Sequence, residues 1–139
     1  MLRLFKQDRI FQPDGIEVKE SAIHGRGVFA CRKFRSGAVI ETAPLILLSA
    51  TDKTFLQTTS LFSYYFLIDS AATPAALGLG YSSVYNHSGT ANAVYSISLK
   101  DASLIIKACK TILPGEEITL NYNGSPDDPS PVYFHPDNI

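Results

Sequence analysis

Apolar and polar positions alternate along much of the chain, with a period of two rather than 3.6. Ile16-Glu17-Val18-Lys19 reads as a strand, and Val28-Phe29-Ala30-Cys31 as a second after a glycine-bearing turn. Ala38–Ala43 predicts a third strand that stops at Pro44, with Ile46-Leu47-Leu48 as a separate fourth candidate. Residues 49–59 carry turn formers and suggest a loop or a short helix capped by Ser49 or Thr51. The aromatic run Leu61–Ile68 reads as a buried strand, and Ala75–Gly80 leads into a polar Asn-His-Ser loop. Ala93–Leu99 and Ser103–Cys109 alternate on either side of Lys100-Asp101-Ala102, which predicts a hairpin. After a Pro114-Gly115 turn, Ile118–Tyr122 forms the last strand. The Pro/Asp-rich tail 124–139 has no regular pattern, and its aromatics Tyr133 and Phe134 suggest docking rather than disorder. Short strands separated by turns, with little helix, predict a mostly β fold with few short helices.

Composition narrows this picture. At 139 residues, 45% hydrophobic and 18% charged, the chain suits one domain over 1–139, with a core of about 15–123. The N-terminus is interrupted by charge and no apolar run is long enough for a span, so an intracellular, soluble protein without membrane attachment is expected. Cytoplasm and nucleus are not distinguished. Net charge is −1, so no direct nucleic-acid binding is expected. The charge is uneven: residues 1–37 carry eight Lys/Arg against four Asp/Glu, and residues 38–139 carry four against nine. The acidic part could attract a basic peptide, or it could be ordinary surface. Cys31 and Cys109 have no ligand spacing and read as reduced, mostly buried thiols; no metal is expected.

Three segments carry candidate chemistry. In His24-Gly25-Arg26-Gly27, two glycines bracket one residue, which lets backbone approach a ligand or simply makes a turn. Asn86-His87-Ser88 could be a side-chain-held turn or could present a reactive histidine. Glu116-Glu117 could work as an acid–base pair, although adjacent residues at a turn usually diverge. Tyr122 closes a strand and, taken alone, reads as a half-buried tyrosine with a wet hydroxyl. No nucleophile elbow accompanies His87, so a hydrolase would need a partner not visible in sequence.

Taken together and in order, HGRGVFA (24–30), NHSGTANA (86–93) and GEEITLNY (115–122) resemble the SET-domain protein lysine methyltransferases, in their small free-standing viral and bacterial form. The resemblance covers about residues 15–134. It implies small curved β-sheets around a C-terminal pseudo-knot. It also implies a cofactor, S-adenosylmethionine (product S-adenosylhomocysteine), on one face and a lysine peptide on the other. Carried over by position, Tyr122 is the catalytic tyrosine, and Arg26, Gly27, Asn86 and His87 contact the cofactor. Tyr64, with Tyr65, Tyr85 and Tyr133 as further candidates, lines the lysine channel. The implied substrate is a lysine in a flexible basic segment, such as a histone or histone-like tail. A homodimer could add substrate-selecting surface. The chain departs from the family pattern at Ala91, usually proline, and at Asn123, often glycine. The other open reading is a SET-fold module that binds peptides without transferring methyl.

Overall fold

β-Branched and alternating segments form nine strands among the described residues. The structure is a computed structural model that describes residue 10 and residues 12–132. The strands are β1 Ile16–Glu20, β2 Arg26–Ala30, β3 Val39–Leu48, β4 Tyr65–Leu67, β5 Ala75–Gly78, β6 Asn86–His87, β7 Ala93–Ser98, β8 Ser103–Ala108 and β9 Glu117–Leu120. One α-helix, α1 Ala50–Leu56, and a 3₁₀ turn, Ser60–Ser63, lie between β3 and β4.

The strands run in the order β1-β2-β9-β7-β8-β3-β5-β4, with β6 also beside β9. The pairs β1–β2, β2–β9, β7–β8, β3–β8, β3–β5 and β4–β5 are antiparallel. β9 is the exception. It pairs in parallel with β6, Asn86 opposite Thr119 and His87 opposite Leu120, and with β7 at Ala93 and Leu120. One short strand therefore joins the glycine-turn hairpin, the Asn-His segment and the β7–β8 hairpin. Its Ile118, Thr119 and Leu120 are all buried, as expected of a strand covered on both faces.

The core gathers the inward residues of these pieces. Val28, Phe34, Leu104, Ile106, Ile112, Ile118 and Leu120 are essentially inaccessible to solvent. In β8 every second residue, Leu104, Ile106 and Ala108, points inward, which bears out the alternation. The predicted hairpin forms with Ala102 in its turn at φ 48°, in the left-handed region. α1 begins at Ser49, whose side chain accepts the Asp52 N–H while the Asp52 carboxylate accepts the Ser49 N–H, a reciprocal capping box.

Several sequence expectations are corrected. Pro44 does not end a strand: β3 runs through it as one ten-residue strand. Pro44 stands where β3 changes partner from β8 to β5, a position at which the ladder can spare its missing N–H. The aromatic run 61–68 is not one buried strand. Its first part is the 3₁₀ turn, and only Tyr65–Leu67 pairs, at the sheet edge, with Leu67 66% exposed. Phe62, Tyr64, Tyr65 and Phe66 line a cavity, and Phe66 also packs against the core. Asn86-His87 is a short strand rather than loop, because β9 offers it a parallel partner. Cys31 is exposed and only Cys109 is partly covered; neither forms a disulfide.

Candidate active site

The parallel register of β6 and β9 brings the Asn-His segment beside the strand that ends before Tyr122. The His87 Nδ1 accepts the Tyr122 backbone N–H at 3.1 Å, and the two rings lie 5.2 Å apart between centroids. An accepting Nδ1 requires the neutral imidazole with its proton on Nε2. Burial lowers the His87 pKa, in the same direction. The Tyr122 hydroxyl donates to the Tyr85 carbonyl at 2.6 Å. Its pKa is pushed up to about 12, mainly by burial and then by Tyr64 and Glu117. The phenol therefore keeps its proton at neutral pH.

Asn86 is the hub of a second cluster. Its Nδ2 lies 3.1 Å from Ser21 Oγ, 3.0 Å from the His24 carbonyl, 3.1 Å from the Arg26 carbonyl and 2.8 Å from Glu117 Oε1. An amide has two hydrogens, so these four acceptors share them. The Ser21 hydroxyl donates to the Glu117 carboxylate and accepts the Ile23 N–H at 2.9 Å. Glu117 thus fastens the glycine turn to β6 and β9. Sequence reasoning missed Ser21 and Glu117 as site-building residues. The available signal was Glu117 opening an alternating strand, which turns it away from Glu116. Glu116 instead accepts the Leu113 N–H at 2.9 Å within its own turn. Asn92 was missed too: it accepts the Thr119 N–H and donates to the Glu117 carbonyl, clamping β9.

The two glycines of the turn have different physical reasons. Gly25 has φ 47° and faces open space. At Gly27 a Cβ would collide with the Glu117 carboxylate and come within 3.1 Å of Asn86 Nδ2. The missing side chain there makes room for the Glu117–Asn86 cluster.

Two cavities flank Tyr122. The first, about 530 Å³, is lined by His24, Gly25, Arg26, Asn86 and His87. The second, about 340 Å³, is walled by Phe62, Tyr65, Phe66, Tyr85 and Tyr95. Ser63, Tyr64, Ser83 and Tyr122 line both, so the cavities share a wall. Among the described residues no carboxylate lines either one. Arg26, Asn86 and His87 thus come together on one side, Tyr65 and Tyr85 on the other, with Tyr64 and Tyr122 between them. Gly27 stands behind the first cavity's lining. Tyr85 is 2% exposed, and its hydroxyl turns into the core to donate to Glu41 at 2.8 Å. Glu41 also accepts the Tyr81 N–H, and its own pKa is raised by burial. Tyr133 and Phe134 lie outside the described residues.

The described part of the tail lies against the second cavity, which Pro131 and Val132 also line. Asn121 Nδ2 donates to the Asp128 carbonyl at 2.8 Å, and Asn123 Nδ2 to that of Ser130 at 2.8 Å. Among the described residues no His/Cys/Asp/Glu cluster could hold a metal, and no helix is long and apolar enough to cross a membrane.

Comparison with known proteins gives this geometry a context. The family model described as SET domain matches residues 25–123. No curated protein matches the chain by sequence. Among solved structures, a candidate histone methyltransferase of Plasmodium falciparum is similar at 25% identity and TM-score 0.65, covering 81% of this chain and 95% of that one. A humanized mutant of Polycomb Repressive Complex 2 from Chaetomium thermophilum, bound to an inhibitor, is similar at 20% identity and TM-score 0.64. That match covers 77% of this chain and 14% of the other. A further ctPRC2 structure, autoinhibited and bound to S-adenosylmethionine, matches at 21% identity and TM-score 0.64, covering 78% of this chain and 15% of that one. These last two likenesses concern the fold.

Proposed function

Because the chain belongs to the SET domain family, we propose that it is an S-adenosylmethionine-dependent protein lysine N-methyltransferase, with Tyr122 at the meeting point of cofactor and substrate. The observation that carries this reading is the pair of cavities sharing Tyr64 and Tyr122. One places Arg26, Asn86 and His87 among apolar groups, and the other is walled mainly by aromatic rings. Similarity to a candidate histone methyltransferase and to an S-adenosylmethionine-bound structure supports it.

The first cavity suits the cofactor. At about 530 Å³ it falls in the usual range for small-molecule sites. Arg26 offers a cation for an amino-acid carboxylate, Gly25 leaves its backbone open, and Ile23 and Val84 add apolar surface. His87, kept neutral, adds no charge against a sulfonium. When bound, the cofactor supplies a methyl group on a positively charged sulfur. This chain's contribution is to orient and to exclude water. The aromatic walls of the second cavity would take a lysine side chain out of water, which favours its neutral, nucleophilic amine. Tyr122, protonated and anchored on the Tyr85 carbonyl, presents its oxygen lone pairs and ring where positive charge must be held. Fixing both reactants on a shared wall is the larger contribution, since alignment alone can be worth roughly 7–11 kcal/mol in model reactions.

The same reading includes a pseudo-knot, with the segment after β9 passing beneath residues 88–92. The Ala91 N–H donating to the Pro126 carbonyl supports it. The substrate is proposed as a lysine in a flexible protein segment, a histone-like tail among them. The test is incubation with radiolabelled S-adenosylmethionine and core histones or total cell extract. Label on a protein band is expected. Failure to bind the cofactor by calorimetry would overturn the reading.

A further inference from the structure

The acidic balance of residues 38–139 suggests a basic target, but the aromatic cavity itself carries the opposite sign. Among its described lining residues Lys53 alone has a formal charge. Lys53 lies on α1 one turn before Gln57, so both share a helix face. Gln57 and Tyr65 line the same cavity as Lys53. The shared lining shows which face of α1 looks toward the cavity. The Lys53 N–H and carbonyl are bonded within the helix, to the Ser49 carbonyl and the Gln57 N–H. The carboxylate next in sequence, Asp52, is engaged by the Ser49 hydroxyl and N–H in the capping box. Among the described residues the ion pairs are Lys19–Glu17 and Arg32–Asp14, neither of which involves Lys53.

We propose that Lys53 determines substrate specificity: the cation on the α1 wall selects target lysines with an acidic residue beside them and disfavours those flanked by Arg or Lys. The inference rests on the methyltransferase reading of the aromatic cavity. A lysine substrate brings its own charge to this wall only until it is deprotonated and enclosed; its neighbours stay charged at the mouth. The Lys53 charge lines the same cavity, so it acts against a cationic neighbour and favours an acidic one. The local sign matters more than the chain's net charge, because charges farther than about 8 Å away are largely screened at physiological salt.

The test uses two fluorescein-labelled peptides, identical except that the central lysine is flanked by glutamates in one and by arginines in the other. Binding is read by anisotropy in the presence of S-adenosylhomocysteine, and methyl transfer in parallel with radiolabelled S-adenosylmethionine. Wild type is expected to prefer the glutamate peptide about three- to tenfold. Lys53→Ala should abolish the preference and Lys53→Glu should reverse it, with thermal melts of both variants close to wild type. The preference should collapse at about 1 M salt, where the Debye length is about 3 Å. A merely structural role for Lys53 would lower both affinities together and would not invert their ratio. Equal binding of the two peptides by wild type, or a preference unchanged in Lys53→Glu, would overturn the proposal while leaving the methyltransferase reading intact. If neither peptide binds or takes label, the aromatic cavity is not a lysine site, and both fail.

Discussion

The two cavities share Tyr122 but are built in different ways. On the Arg26 side, β2, β6 and β9 are locked by main-chain pairing and by a cluster in which Glu117 and Asn86 together reach Ser21, His24 and Arg26. Val28 and Ile118, paired across β2 and β9, are fully buried. On the aromatic side, neither α1 nor the 3₁₀ turn contains a buried residue, and β4 is a three-residue edge strand. Its back is buried Tyr85 and Leu120, but the outer part, α1 through β4, is held by a helix cap, the β4–β5 pairing and edge-to-face ring contacts, Phe62 with Tyr65 at 6.0 Å and Phe66 with Tyr95 at 5.0 Å. Phe55 beside it is 70% exposed. The difference separates two tasks. A wall tied through backbone and buried polar groups suits an invariant small ligand, whereas a lightly packed wall can open at low cost and vary with the peptide it admits.

The largest effect should come from the residue common to both sides. Tyr122→Phe removes the hydroxyl held by the Tyr85 carbonyl. Methyl transfer should fall about 100- to 1,000-fold, while cofactor affinity by calorimetry changes only a few-fold. Next comes the tied wall. Glu117→Ala removes the acceptor used by Ser21 and Asn86, and urea denaturation should show a loss of about 1–3 kcal/mol. Cofactor affinity should fall with it, whereas a mutation on the aromatic side leaves that affinity alone.

Ser49→Ala is the matching change there. Losing the cap should cost about 1 kcal/mol of helix stability. Peptide KM should rise and cofactor affinity should stay within twofold; an equal loss of both would dissolve the contrast between the two walls. The smallest effect is a pH slope. Burial lowers the folded-state pKa of His87 below its ordinary 6.5, so its contribution is complete above that value. As pH falls through 6.5 toward the folded value, the unfolded chain takes up the proton first and the contribution is lost. Protonation of Nδ1 would also end its acceptance of the Tyr122 N–H. Urea midpoints of wild type and His87→Asn should therefore converge between about pH 7.5 and pH 5.5.

The tied wall was largely legible in the sequence because its residues sit in short ordered motifs. Arg26, Asn86, His87 and Tyr122 could each be located from neighbours along the chain. Glu117 was visible but misjudged, since no local pattern shows that its carboxylate meets Ser21, which lies 96 positions away. The sequence marks Gly27 as a place where a side chain is missing, but not that Glu117 and Asn86 fill the space a Cβ would take. The aromatic wall was harder to read. Its rings were noticed in 61–68, but a dense apolar run at an edge looks the same in sequence as a buried strand. The β3 strand running through Pro44 and the β6–β9 pairing depend on partners far along the chain, which periodicity does not report.

Mass spectrometry of the methylated product, comparing wild type with Tyr122→Phe, decides whether Tyr122 serves lysine methylation. Added methyl is expected on a lysine Nζ, and absent with Tyr122→Phe under conditions where that variant still binds the cofactor. Methyl on another type of residue, or undiminished lysine methylation by Tyr122→Phe, would contradict that role.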